Sequence, residues 1–179
     1  MSSYSRNNYG VLFEALLKQF RPLTIVEFGI LDGYSLDVFI KNSLPESKIY
    51  AFDIFEEFIG NSSKERQIRE KYEDFENVFI EKIDYYSSLE ILKKLGKIDF
   101  LHIDVANDGD VFEFAIENLL PLCKVLVLEG GSEERDNVEW MGKYNKKPIN
   151  PILNNLKLRT HSFFTVDYFP SITIFHPFC

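Results

Sequence analysis

One short segment limits what this chain can fold into more than any other. Thr24-Ile25-Val26-Glu27-Phe28-Gly29-Ile30-Leu31-Asp32-Gly33-Tyr34-Ser35 reads as a strand, a glycine-bearing turn and the start of a helix. Leu23 to Val26 is a short apolar run rich in β-branching, of the kind buried on both faces of a parallel sheet. Gly29 and Gly33 supply a tight turn with close backbone approach to a ligand, because no Cβ stands in the way. Asp32 or Gly33 can cap the helix that Ser35 to Ile40 continue, with Leu36, Phe39 and Ile40 on one face. Lys48-Ile49-Tyr50-Ala51-Phe52-Asp53 then puts an acid at the end of a second strand. Glycine turn, helix, strand and terminal acid together make a nucleoside-binding βαβ unit.

The rest of the chain continues the alternation. After an N-terminal helix over Tyr9 to Gln19, strands are predicted at Leu23–Glu27, Lys48–Asp53, Asn77–Ile83, Ile98–Asp104 and Lys124–Glu129. Helices are predicted between them at Tyr34–Asn42, Ser63–Phe75, Ser87–Leu95 and Asp108–Leu119. Such alternation means a parallel sheet with helices on both faces. The tail differs, because Ser162–Phe169 and Ser171–Phe175 are strand-like and separated only by Pro170. Strands that close cannot be joined by a parallel crossover, so they should pair as a hairpin. The expected fold class is α/β: a doubly wound, Rossmann-like, mostly parallel sheet of seven strands ending in an antiparallel hairpin. The expected organisation is a single domain over 1–179, with an N-terminal helix in 1–20, a cofactor-binding core in 21–130, an acceptor-side segment in 131–160 and the hairpin in 161–179.

Composition narrows the partners. A chain of 179 residues buries about 70% of its unfolded surface as one domain, and 17 Phe with 9 Tyr favour an aromatic core. A net charge of −8 without any basic block argues against a nucleic-acid groove. There is no signal-peptide h-region and no run of membrane-spanning length. The two cysteines, Cys123 and Cys179, have no metal-ligand spacing, so a reducing cytoplasm is expected.

The glycine spacing separates nucleoside ligands. Dinucleotide sites favour G-x-G-x-x-G, where helix N-terminal amides meet a pyrophosphate. Here the pattern is E-x-G-x-x-x-G, and Glu27 would repel a pyrophosphate. An acid there suits a phosphate-free ligand bearing a positive amine or sulfonium. With Asp53 in place, EFGILDGYS resembles motif I of the class I S-adenosylmethionine (SAM) methyltransferases, and in particular the small-molecule O-methyltransferases of the catechol and caffeoyl-CoA type and their sugar- and secondary-metabolite-tailoring relatives. The resemblance covers about residues 20 to 130, and the hairpin tail by topology. It implies SAM as cofactor, with Asp53 on the ribose diol and Ile54 in the adenine pocket. Glu27, Phe28 and Gly29 would line the methionine end, Gly33 would let the helix approach, and Ser35 would hydrogen-bond the ligand. Asp84 would face the adenine amine. The competing assignment for Asp53 is a cap on the Phe55–Ile59 turn, and any strand-terminal Asp can be a cap.

Methyl transfer to oxygen also needs a base or a metal. Acids end nearly every strand: Glu27, Asp53, Asp84, Asp104 and Glu129. The resemblance implies that Asp104 helps hold a divalent metal or contacts the ligands. Asp104, Glu129 and His102 are the catalytic candidates, although His102, inside a strand, reads first as a satisfied core histidine. Asp108 is equally explicable as a helix N-cap. Metal-dependent relatives carry Asp-Asn directly after the fifth strand, whereas this chain has Glu129-Gly130. The candidate metal set, suited to Mg²⁺, is therefore Asp104 and Glu129, joined by Asp136 and Asn137 if a loop folds back; the alternative is an exposed charged helix with Trp140 and Met141 packing inward. Asn145–Lys157 is expected to shape the acceptor pocket.

The expected function is O-methylation of a small hydroxylated molecule such as a sugar or secondary metabolite. Two other classes stay open: a non-catalytic nucleoside-binding domain on the same fold, and a nicotinamide-dependent oxidoreductase, which Glu27 and the missing third glycine disfavour. The expected partner is a small-molecule acceptor, with neither nucleic acid nor membrane. The family's dimer contact uses an N-terminal helical region of which this chain has little, so a homodimer is left open.

Overall fold

Alternating apolar runs too short for helices and apolar faces spaced for helices assemble into one sheet covered on both sides. The computed structural model describes residues 3–58, 61 and 64–178. Two short helices, α1 (Ser3–Arg6) and α2 (Gly10–Phe20), lead into β1 (Thr24–Phe28). Then come α3 (Tyr34–Asn42), β2 (Lys48–Asp53), α4 (Glu65–Tyr72), β3 (Val78–Lys82), α5 (Leu89–Leu95), β4 (Ile98–Ile103), α6 (Gly109–Phe114) and β5 (Cys123–Glu129). Three short helices, α7 (Glu133–Asp136), α8 (Glu139–Lys143) and α9 (Asn150–Asn155), separate β5 from the closing hairpin β6 (His161–Val166) and β7 (Ile172–Pro177).

The strands form a single sheet in the order β3-β2-β1-β4-β5-β7-β6. Every pairing from β3 to β5 is parallel, while β5–β7 and β6–β7 are antiparallel. This is the doubly wound sheet with a terminal hairpin that the alternation predicts. The central strands β1, β4 and β5 are almost wholly buried, whereas the outermost β3 and β6 are largely open. That gradient follows from helices covering the middle of the sheet.

Side chains alternate across the sheet, so each face has its own core. Ile25, Ile49, Phe100, Val125 and Val127 meet α2 and α3 on one side, where Phe13 and Phe39 pack edge to face with ring centroids 5.4 Å apart. Val26, Phe28, Leu101, Ile103 and Leu126 meet α5 and α6 on the other.

Several boundaries move. The helix expected over Ser63–Phe75 is described as Glu65–Tyr72; Ser63, and Ile59 of the Phe55–Ile59 turn, lie outside the described residues, as does Cys179. The helix expected over Asp108–Leu119 is α-helical only to Phe114 and continues to Leu119 with wider, π-type spacing. A 3₁₀ turn over Leu120–Leu122, with Pro121 inside it, then ends the segment. Proline has no amide donor for a continuing α-helix.

Candidate active site

Parallel strands end on one edge of the sheet, and there the helix–strand connections leave a cavity of about 500 Å³. Phe28 and Gly29 follow β1 into it, Asp53 and Ile54 follow β2, Ile83 to Tyr86 follow β3, Asp104 to Asp108 follow β4, and Glu129 ends β5. Leu31, Phe58, Tyr86 and Val105 line it as exposed apolar groups, with Phe58 60% exposed. From β2 across β1 and β4 to β5 is three strand spacings, roughly 14 Å, so Asp53 and Glu129 stand at opposite ends of one elongated site.

The β1 turn is built by glycine. Gly29 has φ +89°, and a Cβ there would lie 2.0 Å from the Asp104 carbonyl oxygen, so the turn can sit against the β4 end only without a side chain. The Gly29 amide donates to the Phe52 carbonyl (2.9 Å), tying the turn to β2. Gly33 caps α3 with φ +82°, and its missing Cβ makes room for the Tyr72 hydroxyl, which donates to the Gly33 carbonyl (3.0 Å). Gly33 therefore serves helix docking and does not line the cavity.

Asp53 ties three turns together. Its Oδ2 accepts from the Ile30 amide (2.7 Å) and more distantly from the Leu31 amide (3.4 Å). Its Oδ1 accepts from the Phe55 amide (2.6 Å) and from Asn61 Nδ2 (3.4 Å). Asp53 thus faces the cavity and caps the following turn at once, so the two assignments coexist. Asp84 also lines the cavity, and its Oδ1 accepts from the Tyr86 (3.0 Å) and Ser87 (3.2 Å) amides.

Glu27 is placed differently from the expectation that it lines the methionine end. Its side chain is wholly buried, and in the parallel register it lies opposite His102 of β4. Its Oε1 accepts from the Ser35 hydroxyl and is 3.0 Å from His102 Nδ1, while Oε2 has no partner. Ser35 is spent on Glu27 and also lies off the cavity. His102 Nε2 shares a hydrogen bond with the Tyr4 hydroxyl (3.2 Å). The rings of Phe13 and Phe39 stand edge-on to the imidazole at 5.0 and 5.6 Å. His102 is a partnered core histidine, as it reads first from sequence.

The other end gathers charge. Asp104 is half-buried and Glu129 is 5% exposed. Glu129 Oε1 accepts from Asn107 Nδ2 and lies 3.8 Å from Arg135 Nη2. Its Oε2 accepts from the Ser3 hydroxyl (3.4 Å). Burial, then the Asp104 charge, holds the Glu129 carboxyl well above the usual carboxylate range despite Arg135. Burial likewise raises Asp104, with Glu27 adding and His102 and Arg135 opposing. Tyr4 is raised well above an ordinary phenol by burial and by the charges of Asp104, Glu129 and Glu27.

Asp136 and Asn137 do not join this cluster. The Asp136 carboxylate accepts from the Ile149 (2.8 Å) and Asn150 (2.7 Å) amides, and Asn137 donates to the Glu133 carbonyl (2.9 Å). Both are helix-end residues, which is the exposed-helix alternative, with Met141 packed inward and Trp140 half-buried under Arg135. Asp108 caps α6 through the Val111 amide (3.1 Å) and pairs with Lys146 (2.7 Å). Lys146 is the residue of Asn145–Lys157 that lines the cavity.

Ser3, Tyr4 and Arg135 are site residues that sequence reasoning missed. The first eight residues look like polar lead-in, and Arg135 sits in an acidic run. The one local signal was the Tyr9–Phe13 pair at helical spacing, which shows that the N-terminus packs but not against what.

No protein-family model matches the chain, and no curated protein matches it by sequence. Solved structures do. A Podospora anserina methyltransferase bound to S-adenosylhomocysteine (SAH) is 15% identical, with a TM-score of 0.66 over 100% of this chain and 80% of that one. The O-methyltransferase TomG of Streptomyces achromogenes, involved in tomaymycin synthesis and solved with SAM, is 15% identical, with a TM-score of 0.67 over 96% of this chain and 80% of that one. An O-methyltransferase from Bacillus cereus in complex with SAH is 14% identical, with a TM-score of 0.66 over 94% and 80%. The chain has the class I O-methyltransferase fold.

Proposed function

We propose that the chain is a SAM-dependent methyltransferase acting on a hydroxyl of a small molecule. One observation carries the reading: a single cavity joins the Gly29–Asp53 corner to the Asp104–Glu129 pair. Its charged lining is Asp53, Asp84, Asp104, Asp108, Glu129 and Lys146, and Lys146 is already paired with Asp108. A site so acidic suits a cationic, phosphate-free ligand and repels a pyrophosphate, which disfavours the nicotinamide alternative. The solved neighbours that hold SAM or SAH on the same fold support the same ligand.

The residues fit the cofactor. Asp53 has about four acceptor directions, of which the Ile30 and Phe55 amides take two at close range, so a vicinal diol can be accepted in place of the two longer contacts. Ile54, Ile83 and Tyr85 provide apolar walls for a purine. When bound, SAM supplies a methyl group on an electrophilic sulfonium. The chain then has to hold an acceptor oxygen in line, and such alignment is worth ~7–11 kcal/mol. It must also take the hydroxyl proton. Glu129 and Asp104, both raised by burial, are the carboxylates at that end, and we assign proton acceptance to Glu129 Oε2 or Asp104.

The residues do not fit Mg²⁺. A hard divalent ion wants several oxygen donors free to converge. Glu129 Oε1 is held by Asn107 and faces a guanidinium, and Asp136 and Asn137 are spent on backbone. Among the described residues no group of three or more His, Cys, Asp or Glu is arranged to hold a metal ion. No step is assigned to a metal.

Among the described residues no helix is long and apolar enough to cross a membrane. We infer a cytoplasmic enzyme because the buried Cys123 is a free thiol, and a small-molecule acceptor because the cavity is about 500 Å³. The test is transfer of isotope-labelled methyl from SAM to a panel of catechols, phenols and sugars. Label should appear on oxygen and fall roughly 100-fold or more in Asp104→Asn and Glu129→Gln. SAM binding with no labelled product across the panel would favour the non-catalytic alternative.

A further inference from the structure

Asp104 and Glu129 end adjacent parallel strands, with Glu27 behind them on the same face. Like charges gathered in a poorly solvated place need a counter-ion. We infer that Arg135 is the built-in cation of the acceptor end, filling with a guanidinium the electrostatic place that a divalent ion would otherwise take. The inference deepens the proposed methyltransferase site and takes its catalytic meaning from that reading, although the cation itself is testable separately.

Three observations carry it. Arg135 is buried, with its side chain 6% exposed, and its Nη2 lies 3.8 Å from Glu129 Oε1. Its charge acts on both acids, opposing the rise of Asp104 and of Glu129. Its Nε and Nη1 are buried and have no hydrogen-bond partner, and its guanidinium carbon rests 4.9 Å from the centroid of the Trp140 ring. A guanidinium kept in place only as packing would be an expensive choice, because unpaired buried N–H groups cost stability. It is held by the cap of its own helix, where the Ser132 hydroxyl accepts from the Arg135 amide (3.2 Å), and by stacking on Trp140. A fixed positive charge there opposes entry of a divalent ion.

The probe is Mn²⁺, followed by loss of its free six-line electron paramagnetic resonance signal. Wild type should leave the signal unchanged at millimolar protein. Arg135→Met keeps the length of the chain and its packing on Trp140 but removes the charge. It should gain Mn²⁺ affinity of roughly tenfold or more, and adding Asp104→Asn should abolish the gain. Arg135→Gln is the second variant should Arg135→Met fail to fold by circular dichroism. Wild type that binds Mn²⁺ and loses it in Asp104→Asn would overturn the inference, and so would a folded charge-neutral variant that gains nothing. Calorimetry with SAH on the same samples separates the two readings. The Mn²⁺ pattern without SAH binding leaves the cation assignment standing and removes the methyltransferase, whereas SAH binding without the Mn²⁺ pattern does the reverse.

Discussion

Glu27 and His102 face each other across the β1–β4 register with neither side chain exposed. From the sequence Glu27 reads as a ligand residue, because the turn around it is the recognisable part. Its partner lies on a strand far along the chain, and pairing register cannot be seen without the strand order. The buried placement predicts a structural cost: Glu27→Ala should lose on the order of 1–3 kcal/mol in denaturant unfolding, because His102 Nδ1 and the Ser35 hydroxyl lose their partner. Glu129 gives a prediction with a sign. Burial raises its folded pKa above that of the unfolded chain, so the native state binds this proton more tightly. The stability it contributes is present in full below the unfolded value and is lost as pH rises through the folded one. Glu129→Gln should therefore gain stability over wild type as pH rises through that window, by about 1.4 kcal/mol for each unit separating the two pKa values. Thermal melts of both proteins over a pH series rising from the usual carboxylate range would check it, and parallel curves would count against the assignment. Burial also pushes the Cys123 thiol up to about 12, so peptide mapping after iodoacetamide at neutral pH should find Cys123 unmodified in the native protein and modified in denaturant.

At the scale of elements, β2 and α3 were readable to the residue, at Lys48–Asp53 and Tyr34–Asn42. Each is bounded by local chemistry: an acid and a turn after the strand, a glycine in the left-handed region before the helix. α6 was not, because its change to π-type spacing follows from how Ala115 and Leu119 pack under the sheet and not from any local stop signal. α1 was missed because four polar-looking residues make no amphipathic pattern; Tyr4 is buried by tertiary contact with His102. The β1–α3 turn yields the element-scale prediction. Gly33→Ala forces a Cβ to within 2.0 Å of the Tyr72 hydroxyl at φ +82°. It should cost about 1–2 kcal/mol from the backbone alone, and Tyr72→Phe should recover the steric part. Urea unfolding of the single and double variants measures this, and strictly additive losses would mean that the two side chains do not meet.

For the whole molecule, the alternation of apolar runs was enough to imply a parallel sheet with helices on both faces, and the closeness of the last two strands implied a hairpin. Site membership was less legible. The strand-end acids Asp53, Asp84, Asp104 and Glu129 line one cavity because parallel strands all end on one edge. The N-terminal Ser3 joins that lining, and the buried guanidinium of Arg135 backs Glu129, through tertiary packing that leaves no periodic trace. The central claim is that this acidic, phosphate-averse cavity holds an adenosyl sulfonium cofactor. Its most direct test is calorimetric titration of the wild type with SAM and SAH beside Asp53→Asn, which keeps the shape of the side chain and removes its charge. The account predicts one site per chain for each ligand, and affinity at least about tenfold weaker in a folded Asp53→Asn. Wild type that binds neither ligand, or a folded variant that binds both as tightly as wild type, would contradict it.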